Sequence, residues 1–298
     1  MQAWPTTPPR KVLLATDLSG RSDRALDRAV QLSEEWGAEL HVIHVLGDSS
    51  ANPDHRGLPS RRWPPDMAAV VERQIRDDIS GACPELHVHV EEGAVLPSIL
   101  EAVRRERADL VIVAGRSPKP FSSLEKTIDE LFRRCPVSVL VVKRRPHGGY
   151  HEILVGEDFT DEARRGFEIA IRLFPEAAFT LMHAHEVAYA SLYLNTQLSE
   201  DFSEMERAAI RESLARASIP DDIRKRVTTL IERGPPEAML SNHVRERGAD
   251  LTVIGTYERG RIFHMVVGGQ GPRIVQAVPS DVLMVRADRD AGRTPDRD

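Results

Sequence analysis

Little in this sequence offers a covalent or membrane route to stability. Its 298 residues include only two cysteines, Cys83 and Cys135, too few for a disulfide framework. No apolar run approaches the roughly 18 residues that a membrane span requires. The formal net charge of −6 at pH 7 argues against the clustered positive surface of a general nucleic-acid binder. The opening segment, Met1 to Arg10, is proline-rich and has no apolar core, so it is not read as a secretory signal. Catalytic signatures are missing as well. There is no GxxxxGK[ST] loop, no GxGxxG fingerprint and no Gly-x-Ser-x-Gly elbow, and no nucleophile–base set stands out. These absences fit a reducing cytoplasm, no membrane or nucleic-acid partner, and no assigned catalytic residue.

What is present is repetition. Val12-Leu13-Leu14-Ala15-Thr16-Asp17-Leu18-Ser19 returns as Ile153-Leu154-Val155-Gly156-Glu157-Asp158-Phe159-Thr160. Asp17 and Asp158, Gly93 and Gly234, and Asp109 and Asp250 are each 141 positions apart, whereas His44 and His183 are 139 apart. One constant offset, interrupted by a small deletion, marks a duplicated chain. The length suits two domains of roughly 150 residues, assigned to residues 1–145 and 151–288 around a Pro- and Gly-bearing linker at Arg144–Tyr150. The charged tail, Arg286–Asp298, is expected to fray.

Each copy alternates short β-branched runs with helical patterns, the mark of βαβ units on a parallel sheet. In copy one the strands are expected at Val12–Ala15, Leu40–Leu46, Leu86–Val90, Leu110–Val113 and Val137–Val142. The helices are expected at Ser22–Glu35, Met67–Ser80, Pro97–Arg107 (opened by its proline) and Ser123–Arg134, with a loop over Gly47–Pro65. Copy two repeats the order, with strands at Ile153–Val155, Phe179–His185, Val227–Ile231, Leu251–Ile254 and Val282–Val285. Its helices are expected at Asp161–Leu173, Ser199–Ala217, Pro236–Arg247 and Pro272–Val278. The stripe of Met205, Ile210 and Leu214 reads as core rather than a membrane face.

With these residues in view, the chain resembles the universal stress protein family over about Arg10–Arg286. The resemblance rests on Ala15-Thr16-Asp17, on His44 and His183 of the second strands, on "ADL" before the fourth strands, and on the closing runs "CPVSVLVVKRRP" and "VPSDVLMVR". It implies an α/β fold of two doubly wound domains. Each would be a five-stranded parallel sheet with flanking helices, and the two would pack as an internal pseudo-dimer with Val137–Val142 beside Val282–Val285. A monomer or a homodimer of the chain fits equally.

Some members of that family bind ATP, and those carry Gly, two residues, Gly, nine residues, Gly and then Ser or Thr after strand four. Glycines let backbone approach phosphate, and helix-start N–H groups supply donors. Carried onto copy two, the resemblance implies that Asp158 contacts the nucleoside and the Ala184 backbone the base, with Gly255, Gly268 and Gly269 holding phosphate and Mg²⁺ accompanying it. Glu258 replaces the second glycine and Gly269 stands where a hydroxyl is expected. A carboxylate there repels phosphate unless Arg259, Arg261 or His264 offsets it. Copy one has Ala114 and Ser117 at the first two glycine positions and a proline-bearing loop, so it is read as having lost the pocket.

Bland readings compete with each of these. Asp17 and Asp158 are expected to cap the helices that follow them. His87/His89 and His183/His185 are pairs on strands, each able in principle to chelate zinc, but no carboxylate or cysteine follows at a convincing spacing. They are assigned to packing or surface roles, and no metal site is assigned. His41 and His44, three apart on a strand, face opposite ways. Cys83 and Cys135 are expected to be incidental or buried thiols. The leading expectation is a cytoplasmic stress-response module that senses ATP or another adenine nucleotide in copy two. A protein-interaction scaffold with both pockets closed is the alternative, and slow ATP hydrolysis or autophosphorylation ranks behind it.

Overall fold

The computed structural model describes residues 8–46, 66–79, 85–115, 123–185, 196–256 and 270–286. They divide into two compact units, Pro9–His147 and the residues from Gly148 onward, the latter grouped with Pro8. The first unit runs β1 (Lys11–Thr16), α1 (Ser22–Trp36), β2 (Glu39–Leu46), α2 (Met67–Ile79), β3 (Leu86–Glu92), α3 (Val95–Glu106), β4 (Leu110–Ala114), α4 (Ser123–Arg134) and β5 (Ser138–Val142). Its strands are ordered β3-β2-β1-β4-β5 and all pair in parallel. Strands β1, β4 and β5 are nearly continuous buried apolar runs, as helices on both faces require.

The second unit repeats this plan. It runs β6 (Glu152–Glu157), α5 (Asp161–Leu173), β7 (Ala178–His185), α6 (Thr196–Arg216), α7 (Asp221–Arg224), β8 (Thr228–Arg233), α8 (Pro236–Arg247), β9 (Leu251–Thr256), α9 (Gln270–Ala277) and β10 (Asp281–Arg286). Strand order is β8-β7-β6-β9-β10, again parallel. The one-turn α7 has no counterpart in the sequence reading. The other expected elements appear at the expected places. In α3, however, the helix starts at Val95, two residues before Pro97.

The repeat reaches into single backbone bonds. Asp109 Oδ2 accepts from the N–H groups of Arg10 (2.9 Å) and Lys11 (3.1 Å), and Asp250 Oδ2 from those of His151 (3.0 Å) and Glu152 (3.1 Å). The aspartate of each "ADL" is thus a clamp on the start of strand one, supplying an acceptor to donors that begin the sheet. His44 Nδ1–H donates to Thr16 O (2.9 Å) and His183 Nδ1–H to Glu157 O (2.8 Å), tying strand two to the last residue of strand one. Leu18 (φ 55°) and Phe159 (φ 64°) both take the left-handed conformation, at the same turn in each copy.

Ile210 is buried and Leu214 half-buried, but Met205 is 64% exposed, so only part of the expected α6 core stripe faces inward. Cys135 is buried, and Cys83 and the Gly47–Pro65 loop lie outside the described residues. Among the described residues no helix is long and apolar enough to cross a membrane.

Candidate functional site

In each unit a cavity opens at the carboxyl ends of strands one, two and four, where the order of a doubly wound sheet reverses. The two cavities are built from corresponding positions but differ in size. That of the second unit measures about 340 Å³ and that of the first about 170 Å³. Small-molecule sites fall at about 300–1,000 Å³, so only the second reaches ligand size. Several lining positions carry smaller residues in copy two. Gly156, Ala163, Ala184 and Gly255 stand in copy two where Ala15, Ser22, Val45 and Ala114 stand in copy one.

Of the residues expected to form a nucleotide site, Asp158, Ala184 and Gly255 are brought together around this cavity. Gly268, Gly269 and Glu258 lie outside the described residues, as do Ser117 and the rest of the copy-one loop up to Phe121 and Ser122. Asp158 does not cap α5. Its Oδ1 accepts from the Thr160 N–H (3.1 Å) and hydroxyl (2.5 Å), and Thr160 is the residue that caps, its Oγ1 accepting from Ala163 N–H (3.2 Å). Asp17 likewise accepts from Ser19 and Ser22, while Arg21, the N-cap residue of α1, makes no side-chain capping bond. Both aspartates therefore form a local Asx turn that fixes the strand-to-helix corner. Burial pushes the Asp17 carboxyl up, but the Ser19 and Ser22 hydroxyls outweigh it and hold the group below the ordinary aspartate range.

Gly255 has a packing reason to be glycine. A Cβ there would collide with the backbone of Glu162, and it would come within 2.8 Å of Ala163 N. The first turn of α5 presses on the end of β9, and Gly166 of the same helix sits against Gly255 as well. The first glycine of the loop pattern thus serves close helix–strand contact whatever else it does.

Glu157 is the residue that sequence reasoning passed over. It ends β6 inside the sheet, 5% exposed, where copy one has Thr16. Its Oε1 accepts from Phe159 N–H (2.6 Å) and its Oε2 from the Ser213 hydroxyl of α6 (2.9 Å). Thr16 Oγ1 accepts from Leu18 N–H (3.0 Å), so both side chains satisfy the same donor. Burial pushes the Glu157 carboxyl up, with Ser213 and the Phe159 N–H opposing. A charged residue two positions beyond the apolar run Ile153–Val155, where copy one has Thr16, was the available signal. Beside it, the Phe159 ring lies 4.3 Å from that of His183. His183 and His185 stack at 5.4 Å, with His185 Nε2 3.0 Å from Glu206 Oε1, so this pair is occupied by packing and a carboxylate bond.

Comparison with known proteins agrees with this architecture. The universal stress protein family matches twice, over residues 9–143 and 149–286. A universal stress protein of Thermus aquaticus is 26% identical over 137 residues, 46% of this chain and 99% of that protein. A Staphylococcus epidermidis protein named for the same family is 29% identical over 147 residues, 47% of this chain and 86% of its own length. Among solved structures, a functionally unknown protein of Pseudomonas aeruginosa PAO1 superposes with TM-score 0.68 and 19% identity, covering 95% of this chain and 94% of that one. A universal stress protein of Archaeoglobus fulgidus gives TM-score 0.65 and 20% identity over 93% of this chain and 98% of that one. With both halves matched in turn, the chain belongs to the universal stress protein family and carries two copies of its domain.

Proposed function

We propose that this protein is a cytoplasmic stress-response module whose second domain binds ATP or a related adenine nucleotide. The observation that carries the reading is the enlarged cavity at the strand ends of copy two, about 340 Å³ against about 170 Å³ at the corresponding positions of copy one. A ligand-sized space is retained in one copy and filled in the other, although the surrounding fold is the same.

In this reading the base lies against the Ala184 backbone, where the absent branched side chain leaves room. Asp158 Oδ1 is engaged by Thr160, and Oδ2 accepts from a ribose hydroxyl. Gly255 lets the chain pass close to α5, and the phosphates extend toward Gly268 and Gly269 with Mg²⁺ as counter-ion. The Glu157 carboxyl fits such a ligand because its oxygens are held by Phe159 and Ser213 and because burial favours its neutral form. Copy one, with Val45 and Ala114 in its smaller cavity, acts as a scaffold half.

The test is Mg-ATP titration by calorimetry, together with identification of any nucleotide released on denaturing freshly purified protein. Ala184→Val copies Val45 into the cavity and is expected to weaken binding at least tenfold, about 1.4 kcal/mol, while leaving the fold intact by circular dichroism. No bound nucleotide and no heat with wild type would instead make the protein an interaction scaffold in both halves.

A further inference from the structure

On the face of β2 that also carries Ile43 and Val45 of the cavity lining, but nearer the start of the strand, three imidazoles and two carboxylates converge. His41 of β2 pairs in register with His87 of β3, and His89 follows two residues on, so all three share one face. Their rings stack, His41 lying 4.6 Å from His87 and 5.6 Å from His89. The last residue of α3, Glu106, reaches over the same spot. His41 Nδ1 is 3.3 Å from His89 Nε2 and 3.6 Å from Glu106 Oε2, and His89 Nε2 is 3.8 Å from Glu106 Oε1. Ligands about 2.0–2.1 Å from a tetrahedral ion stand about 3.3–3.5 Å from one another; the two imidazole nitrogens already stand at that spacing, and each has one oxygen of the Glu106 carboxylate 3.6 Å or 3.8 Å away.

Further groups prepare the ligands. His41 Nε2–H donates to Glu39 Oε2 (3.3 Å), which in a neutral ring leaves the Nδ1 lone pair directed at His89 and Glu106. A carboxylate on the far nitrogen of a histidine is the usual support of a metal ligand. Glu39 is in turn held by Lys11 Nζ (2.8 Å). Two cations stand at the rim, and each is met by carboxylates: Lys11 by Glu39, and Arg105 by Glu106 Oε1 (2.7 Å) and Glu91 Oε1 (2.8 Å). The carboxyl end of the α3 dipole adds a negative field.

The second copy is an internal control. In the same register it has Ala178 for Glu39, Thr180 for His41, Thr228 for His87, Leu230 for His89 and Arg247 for Glu106. The fold therefore forms without any of these groups, and their convergence in copy one is not a packing requirement. We propose that His41, His89 and Glu106 form a three-ligand site for a late first-row divalent cation, with Zn²⁺ the best match, oriented by Glu39. His41 is 3% exposed while His89 and Glu106 are 23% and 19% exposed, so the fourth position faces solvent and takes water or an exogenous ligand. This site is independent of the nucleotide reading of copy two.

The test uses untagged full-length protein, stripped with chelator and dialysed, then titrated with ZnCl₂ by calorimetry and with CoCl₂ by visible absorption. One equivalent of Zn²⁺ and the intense d–d bands of four-coordinate Co²⁺ are expected. His89→Ala and Glu106→Gln are expected to abolish both signals with unchanged circular dichroism, and Glu39→Gln to weaken affinity about 10- to 100-fold. His185→Ala, in the other histidine pair, should change nothing. Absence of Zn²⁺ heat in wild type, or binding that survives both His89→Ala and Glu106→Gln, overturns the proposal.

Discussion

Replacing Gly255 by alanine separates two explanations of the same residue. The added Cβ meets the Glu162 carbonyl carbon and oxygen and approaches Ala163 N, all backbone atoms of the first turn of α5 that no rotamer change can move aside. Overpacking of this kind costs about 1–3 kcal/mol. Restricting the unfolded chain returns about 0.4–1 kcal/mol, so the net loss centres on about 1.3 kcal/mol and reaches at most about 2.6 kcal/mol. The turn of Asp158 and the cap of Thr160 belong to the helix end that must shift, so the strand-to-helix corner loosens with it. Urea unfolding should be followed by far-UV circular dichroism, which reports on both copies. A midpoint equal to that of wild type refutes the packing argument. If that variant also lost Mg-ATP binding, Gly255 would be a phosphate-approach residue and nothing more.

Two further predictions follow from named bonds. Asp250→Ala leaves the His151 and Glu152 N–H groups without their acceptor and should cost about 1–3 kcal/mol, whereas Asp250→Asn keeps an acceptor oxygen and should cost less; equal losses in chemical unfolding would mean that charge, not hydrogen bonding, secures the strand. Glu157 holds its proton more tightly in the fold than at its ordinary value of 4.5, so the native state binds more protons than the unfolded one as pH rises from there, and its contribution to stability falls through that window. Glu157→Gln removes this loss, and its stability relative to wild type should rise with pH above 4.5, by about 1.4 kcal/mol for each tenfold difference in proton affinity. A pH-independent difference between the two proteins would refute the buried-carboxyl account.

The duplication, the order of strands and helices, and most element positions follow from the sequence alone, because buried parallel strands must be uninterrupted apolar runs and helices must place apolar residues at their own period. The paired "ADL" aspartates and second-strand histidines were equally visible as repeats, although their roles as a clamp on strand one and a tie to its last carbonyl required coordinates. Tertiary structure decided everything that depends on volume or on convergence. The cavity of copy two is lined by residues from several separate elements, and no local pattern records their convergence. Gly255 reads as a loop glycine until α5 is seen pressed against it. The histidine pair on β3 lacked a carboxylate only along the chain. Parallel register places His41 beside His87, and the α3 crossover returns Glu106 to the same face, so residues remote in sequence become neighbours through sheet pairing alone.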